Sequence, residues 1–172
     1  GSRQRGWFVG SNAEKMVRMA TPPVLVIKQE PEADFYPRDF VFASNFYGVA
    51  DSNFEKIKAF IDLFEVRVHL LKVITPGEFE SSAVSRLHMQ EFAERNGLKF
   101  FTVNTYNHQY IEAGVLEFSR ERKADLIAME THGRTGISHI INGSRTEDLV
   151  NESDIPVLSV RIQEKTRRLS AQ

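Results

Sequence analysis

The chain carries, at residues 124–136, the run ADLIAMETHGRTG, which is typical of one unit of an α/β fold. Residues 126–129 within it are all apolar, which is typical of a short strand buried on both faces. Glycines follow at Gly133 and Gly136, where the chain has to turn, and residues 144–151 have a helical pattern. A buried strand, a glycine-bearing turn and a helix in this order predict a unit of an α/β fold.

The same alternation extends towards the amino terminus. Strand signals, rich in apolar residues, occupy residues 40–43, 66–74, 100–103, 126–129 and 156–160. Four helices are predicted between them. The first is capped at Ser52 and has Phe54, Ile57, Ile61 and Phe64 on one face, and the second covers residues 82–95 with the apolar residues Val84, Leu87 and Phe92. The third runs through Ile111, Val115 and Phe118, and the fourth covers residues 144–151. Strands that are apolar on both faces and alternate with helices predict a parallel sheet covered on both sides.

Part of the pattern is repeated 133 positions apart. Gly10-Ser11 corresponds to Gly143-Ser144, and Pro23-Val24-Leu25 corresponds to Pro156-Val157-Leu158. A period of that length is domain-sized. We therefore expect the final helix and strand of one domain at residues 1–28, a linker at 29–38, a complete domain at 39–162 and a polar tail at 163–172.

The composition excludes several classes of protein. The 22 Lys and Arg residues are balanced by 23 Asp and Glu residues, which argues against a dedicated nucleic-acid binder. The absence of cysteine excludes disulfides and thiolate metal sites. The five histidines show no spacing typical of a metal site, and no apolar run is long enough for a membrane span. We expect a cytoplasmic protein without membrane or nucleic-acid partners.

The glycine-bearing segments suggest an anion site, although a second interpretation stands beside it. Gly133 and the Gly143-Ser144 pair would bring backbone N–H groups together, and Thr146 would add a hydroxyl, which suits a phosphate. The alternative is that Ser144 only caps a helix, and the equivalent Ser11 of the repeat favours this interpretation. His132 would either contact a ligand or hold the loop by a hydrogen bond.

Taken together, residues 124–136, Gly143-Ser144 and the closing run IPVLSV at residues 155–160 strongly resemble the universal stress protein family. The resemblance covers a complete domain from Phe40 to Ile162, together with the terminal helix and strand of a preceding one. It implies an α/β fold with a five-stranded parallel sheet in the order 3-2-1-4-5 and helices on both faces, as in the adenine-nucleotide alpha-hydrolase-like folds. It also implies that the apolar run from Val24 to Ile27 pairs with the fifth strand, the run from Pro156 to Val160.

The resemblance further implies where ATP would bind. One branch of the family has the pattern Gly-x-x-Gly, nine residues, then Gly-Ser/Thr, and Gly133, Gly143 and Ser144 fit its second half. Glu130 stands in place of the first glycine. The residues that would contact a nucleotide are Asn45 (an aspartate in the ATP binders), Val73 on the adenine side, Met129, His132, Gly133, Gly143, Ser144, Arg145 and Thr146.

Glu130 disfavours the nucleotide. A carboxylate roughly 4 Å from a phosphate charge is repelled by about 4 kcal/mol at an effective dielectric near 20. Conversely, Glu130 would hold Mg²⁺ if the ion bridged to the phosphates. The cofactor is accordingly either none or ATP, with or without Mg²⁺.

Three functions follow from these residues. The first is a stress-response regulatory module that acts through self-association or tandem-domain pairing, with weak or absent ATP binding. The second is an ATP-binding stress sensor, and the third is a slow ATPase. No catalytic residues are assigned, and we expect a protein that is not an enzyme.

Overall fold

A computed structural model describes residues 20–27, 30–48, 50–131 and 155–161. Six strands lie in these ranges: β1 (Val24–Val26), β2 (Asp39–Ala43), β3 (Arg67–Ile74), β4 (Phe101–Asn107), β5 (Leu126–Thr131) and β6 (Val157–Arg161). The same ranges contain three helices: α1 (Ala50–Phe64), α2 (Ser82–Arg95) and α3 (Ile111–Glu121). The predicted helices at residues 11–19 and 144–151 lie outside the described residues.

The strands form one sheet in the order β1-β6-β5-β2-β3-β4. The five strands from β2 to β6 are parallel and lie in the predicted order, so the predicted α/β fold is confirmed. Strand β1 is antiparallel to β6, which makes the sheet as a whole six-stranded and mixed. Its register joins Val24 to Ser159, Leu25 to Leu158 and Val26 to Val157. The extra strand therefore lies beside the fifth strand of the parallel set, as predicted, although it ends one residue earlier, at Val26.

The central strands β2, β3 and β5 are buried on both faces, as their apolar residues predicted. On one face, Phe42 of β2 packs against Phe54 of α1 and Phe92 of α2, with ring centroids 5.1 and 5.7 Å away. On the other face, Val41 and Ile127 belong to a second cluster that includes Val115 and Phe118 of α3. The layered core leaves the ends of the strands as the places where polar side chains meet.

Some predicted helix details are wrong. Helix α1 begins at Ala50, so Ser52 is not its cap, and Phe64 is only partly buried at the end of the predicted face. In α2 the predicted Val84 and Leu87 are exposed, whereas Ser85, Met89, Phe92 and Ala93 are buried. In α3, Ile111 is exposed, while Val115 and Phe118 are buried as predicted.

Candidate functional site

The parallel strands end together at one side of the sheet, which we call the carboxyl edge. This side holds those predicted nucleotide contacts that lie within the described residues. Ala43, the last residue of β2, lies beside Met129 of β5, and Asn45 follows two residues later. Val73 is near the end of β3, and both Val73 and Met129 are buried. The remaining predicted contacts, His132, Gly133, Gly143, Ser144, Arg145 and Thr146, lie outside the described residues.

The side chain of Asn45 takes part in the turn of its own loop. Its Oδ1 accepts a hydrogen bond from the backbone N–H of Tyr47 at 2.9 Å, and Ser44 Oγ accepts one from the N–H of Phe46 at 3.0 Å. Short polar side chains that accept from the backbone two residues on are a common way to fix a turn. Asn45 itself is exposed, so it is held in place at the surface.

The loop after β2 has an unfavourable backbone conformation that packing stabilises. Phe46 has a φ of 62°, in the left-handed region, and Gly48 has a φ of 65°. Such a conformation costs on the order of 1–3 kcal/mol for a bulky residue and persists only when its surroundings enforce it. Here the ring of Phe46 is buried between Phe42 and Phe92, with centroid distances of 6.0 and 5.2 Å. The core thus fixes the loop immediately after Asn45.

A polar cluster that the sequence did not predict joins this loop to the next one. We call Tyr47, Lys72, Glu80 and Ser85 the carboxyl-edge clamp. Glu80 Oε2 accepts from Lys72 Nζ at 2.7 Å and from the Ser85 hydroxyl, while Glu80 Oε1 accepts from the Tyr47 hydroxyl. Lys72 Nζ also lies 4.7 Å from the centroid of the Tyr47 ring. Every polar group of the clamp converges on one carboxylate.

The clamp keeps Glu80 ionised. Burial by itself would raise the pKa of this carboxyl, but the hydrogen bonds from Lys72, Ser85 and Tyr47 outweigh it and lower the pKa from 4.5 to about 2. The hydrogen bond to Glu80 in turn raises the pKa of the Tyr47 phenol. One sequence signal could have indicated the cluster: Lys72 is a charged residue in the apolar strand β3, and a buried lysine needs a partner.

A second polar cluster lies at the opposite end of the strands, and we call Asp39, His69 and Thr102 the amino-end network. The two ring nitrogens of His69 lie 3.0 Å from Asp39 Oδ1 and 2.7 Å from Thr102 Oγ1. His69 is only 3% exposed. The three residues lie on the adjacent strands β2, β3 and β4, and His69 pairs with Thr102, so the network joins adjacent strands.

Neither a metal site nor a membrane span is found in the described ranges. Among these residues no group of three or more His, Asp or Glu side chains could hold a metal ion. None of the described helices is both long and apolar enough to cross a bilayer. The predicted Mg²⁺ contact of Glu130 stays a prediction.

Comparison with known proteins identifies the family. The family model described as "Universal stress protein family" matches residues 50–161. Universal stress protein MJ0531 of Methanocaldococcus jannaschii is 35% identical over 78 residues, which are 45% of this chain and 44% of that protein. Universal stress protein Slr1230 of Synechocystis is 25% identical over 159 residues, which are 89% of this chain and 52% of that protein. The chain thus spans about half the length of these relatives or less.

Solved structures share the fold. A universal stress protein from Archaeoglobus fulgidus has a TM-score of 0.69 at 20% identity, over 91% of this chain and 55% of that one. A universal stress protein in complex with cAMP has a TM-score of 0.57 at 14% identity, over 75% of this chain and 100% of that one. The family match places the chain among stress-response proteins. The chain belongs to the universal stress protein family.

Proposed function

We propose that this chain is a stress-response regulatory module that acts through domain–domain or dimer contacts at its sixth strand and binds ATP weakly or not at all. The observation that carries the proposal is the antiparallel pairing of β1 with β6. Strand β6 would otherwise be the edge of the parallel sheet, and an open edge readily pairs with another chain. A segment distant in sequence therefore covers the edge through which a second domain would dock.

Side chains at this edge support a specific contact. Val24 and Val26 of β1 pack with Ile155 and Val157 against the cluster beneath α3. Leu25, on the opposite face of the strand, is 42% exposed, although its partner Leu158 is buried. Alternation of this kind fixes the register, because a shift of one residue would exchange the buried and exposed sides. We interpret β1 as the fifth strand of a preceding domain, paired with β6, the fifth parallel strand of this one.

The nucleotide half of the proposal rests on charge. Glu130, on β5 beside Val160, stands where the ATP-binding branch of the family has its first glycine. Its negative charge would oppose the phosphates, and Asn45 lacks the charge of the aspartate that it replaces. We therefore propose that this chain is not an enzyme and needs neither ATP nor Mg²⁺ to form its contacts. We also propose that it acts in the cytoplasm.

A second candidate function is an ATP-binding stress sensor. It is supported by the position of Asn45, Val73 and Met129 at one edge of the sheet, in the arrangement expected for the base side of a nucleotide site. One solved universal stress protein with the same fold is a complex with cAMP. Slow ATP hydrolysis, the third candidate, would need a positioned base, and no described side chain has been assigned that role.

The contact proposal can be tested by displacing β1. Val26→Pro places a residue with no backbone N–H and a fixed φ inside β1, so it should weaken the pairing and free the edge of β6. Ile27→Pro lies just beyond the strand and serves as the matched control. Sedimentation velocity over a range of protein concentrations reports on self-association at the edge. We expect a larger, concentration-dependent mass for Val26→Pro and a mass equal to that of the parent for Ile27→Pro. An unchanged mass in the folded Val26→Pro variant would contradict the proposal.

A further inference from the structure

Glu80 links three elements of the carboxyl edge. It lies in the segment between β3 and α2, immediately before Ser81, whose hydroxyl caps α2. One of its oxygens accepts from Tyr47 in the loop after β2, and the other accepts from Lys72 of β3 at 2.7 Å. A single carboxylate therefore connects the loop, the neighbouring strand and the start of a helix.

The loop held in this way presents Asn45. On its carboxyl side, Phe46 is anchored in the core and Tyr47 is bound to Glu80. The left-handed conformation of Phe46 would relax if these anchors were lost, because it is intrinsically unfavourable. The hydrogen bond from Tyr47 N–H to Asn45 Oδ1 transmits any movement of Tyr47 directly to the Asn45 side chain. The position of Asn45 thus depends on a carboxylate that is distant in sequence.

Stability alone does not explain such a cluster. The Lys72 and Glu80 side chains are 11% and 19% exposed, so both charges have lost most of their water. Replacing a buried ion pair by apolar residues of similar size is often neutral or stabilising. A charged cluster with directional hydrogen bonds does, however, select one arrangement of the groups that it joins. Here the arrangement selected is that of the loop.

We propose that Glu80 is a positioning residue that acts through Tyr47 to hold Asn45 where a nucleoside contacts it. This inference deepens the second candidate function, because it names the residues that keep the base side of that site formed. It concerns the adenosine part of a ligand and does not involve the phosphates.

The first experiment measures whether the clamp orders the loop. Amide hydrogen exchange at residues 46–48 is compared in the unmodified chain, in Glu80→Gln and in the milder Tyr47→Phe. The matched control is Tyr106→Phe, because the Tyr106 hydroxyl bonds Glu121 at 2.9 Å on α3, away from this loop. We expect exchange to rise about tenfold in both clamp variants and not in the control, while amides of β2 stay protected. Unchanged loop exchange in Tyr47→Phe would overturn the proposal.

The second experiment separates positioning from a merely structural role. Glu130→Gly is used as the background, and binding of adenosine and of inorganic tripolyphosphate is measured by calorimetry. We expect Glu80→Gln and Tyr47→Phe to weaken adenosine binding about tenfold and to leave tripolyphosphate binding unchanged. Equal adenosine affinity, or equal loss for both ligands, would overturn the proposal. Absence of adenosine binding in every chain would also overturn it, yet would leave the contact function proposed above intact.

Discussion

The carboxyl-edge clamp and the amino-end network are both partly buried polar clusters, but they join different kinds of structure. Asp39, His69 and Thr102 lie on adjacent strands whose positions the sheet already fixes. Tyr47 and Glu80, by contrast, belong to two loops that have no common ladder of backbone hydrogen bonds. The first cluster satisfies polar groups within a rigid frame, whereas the second determines where a loop lies. The clamp therefore marks the end of the sheet at which side-chain contacts determine the position of a loop.

The largest effect is expected from breaking the ion pair of the clamp. Glu80→Gln leaves Lys72 without its anionic partner at a site with little water, so we expect a loss of about 3 kcal/mol of unfolding free energy at pH 7. The double variant Lys72→Met with Glu80→Gln should recover much of this loss, because no unpaired charge remains. Urea unfolding of the single and double variants measures both values. A single variant as stable as the parent would mean that water solvates Lys72.

A smaller effect is expected from acid. The pKa of Glu80 is lowered in the folded protein, from 4.5 to about 2, so its contribution is complete above pH 4.5 and is lost as the pH falls towards 2. At pH 3.5 this group alone should account for a loss of about 1.5 kcal/mol. The stability difference between the parent and Glu80→Gln should therefore shrink between pH 6 and pH 3.5. A constant difference over that interval would contradict the assignment.

The smallest effect is expected at the amino-end network. Thr102→Val keeps the shape of the side chain but removes the hydroxyl that bonds His69 at 2.7 Å and Asn104 at 2.8 Å. We expect a loss of about 1 kcal/mol in urea unfolding. Hydrogen exchange at residues 46–48 should stay at the parent level, in contrast to the clamp variants. Faster exchange in that loop would show that the two clusters are coupled.

The sheet could be predicted from sequence because its information is local. The strands around residues 40–43 and 126–129 are apolar on both faces, and the repeat of Pro23-Val24-Leu25 at Pro156-Val157-Leu158 indicated two matching strands. Pairing of β1 with β6 followed from that likeness together with the family resemblance. The strand order was implied by the family resemblance, and neither it nor the edge pairing required knowledge of side-chain contacts.

The clamp could not be predicted because its parts are far apart in the chain. Tyr47, Lys72 and Glu80 have no common motif, and the Tyr47–Glu80 bond spans 33 positions. The error in α2 has the same origin: Ser85 occupies the buried face because Glu80 gives its hydroxyl a partner, which turns Leu87 towards solvent. Apolar periodicity alone cannot anticipate a buried serine. The phosphate-side residues from His132 to Thr146 stay predictions.

Calorimetric titration of ATP into the unmodified chain and into Glu130→Gly tests most directly whether the chain acts through contacts and not through a nucleotide. The variant removes the carboxylate from the position of the first glycine and leaves Gly133, Gly143 and Ser144 unchanged. We expect no micromolar binding by the unmodified chain, with or without Mg²⁺, and a gain of binding in the variant, because a repulsion of about 4 kcal/mol is removed. Micromolar binding of ATP by the unmodified chain would contradict the proposed function and favour the sensor.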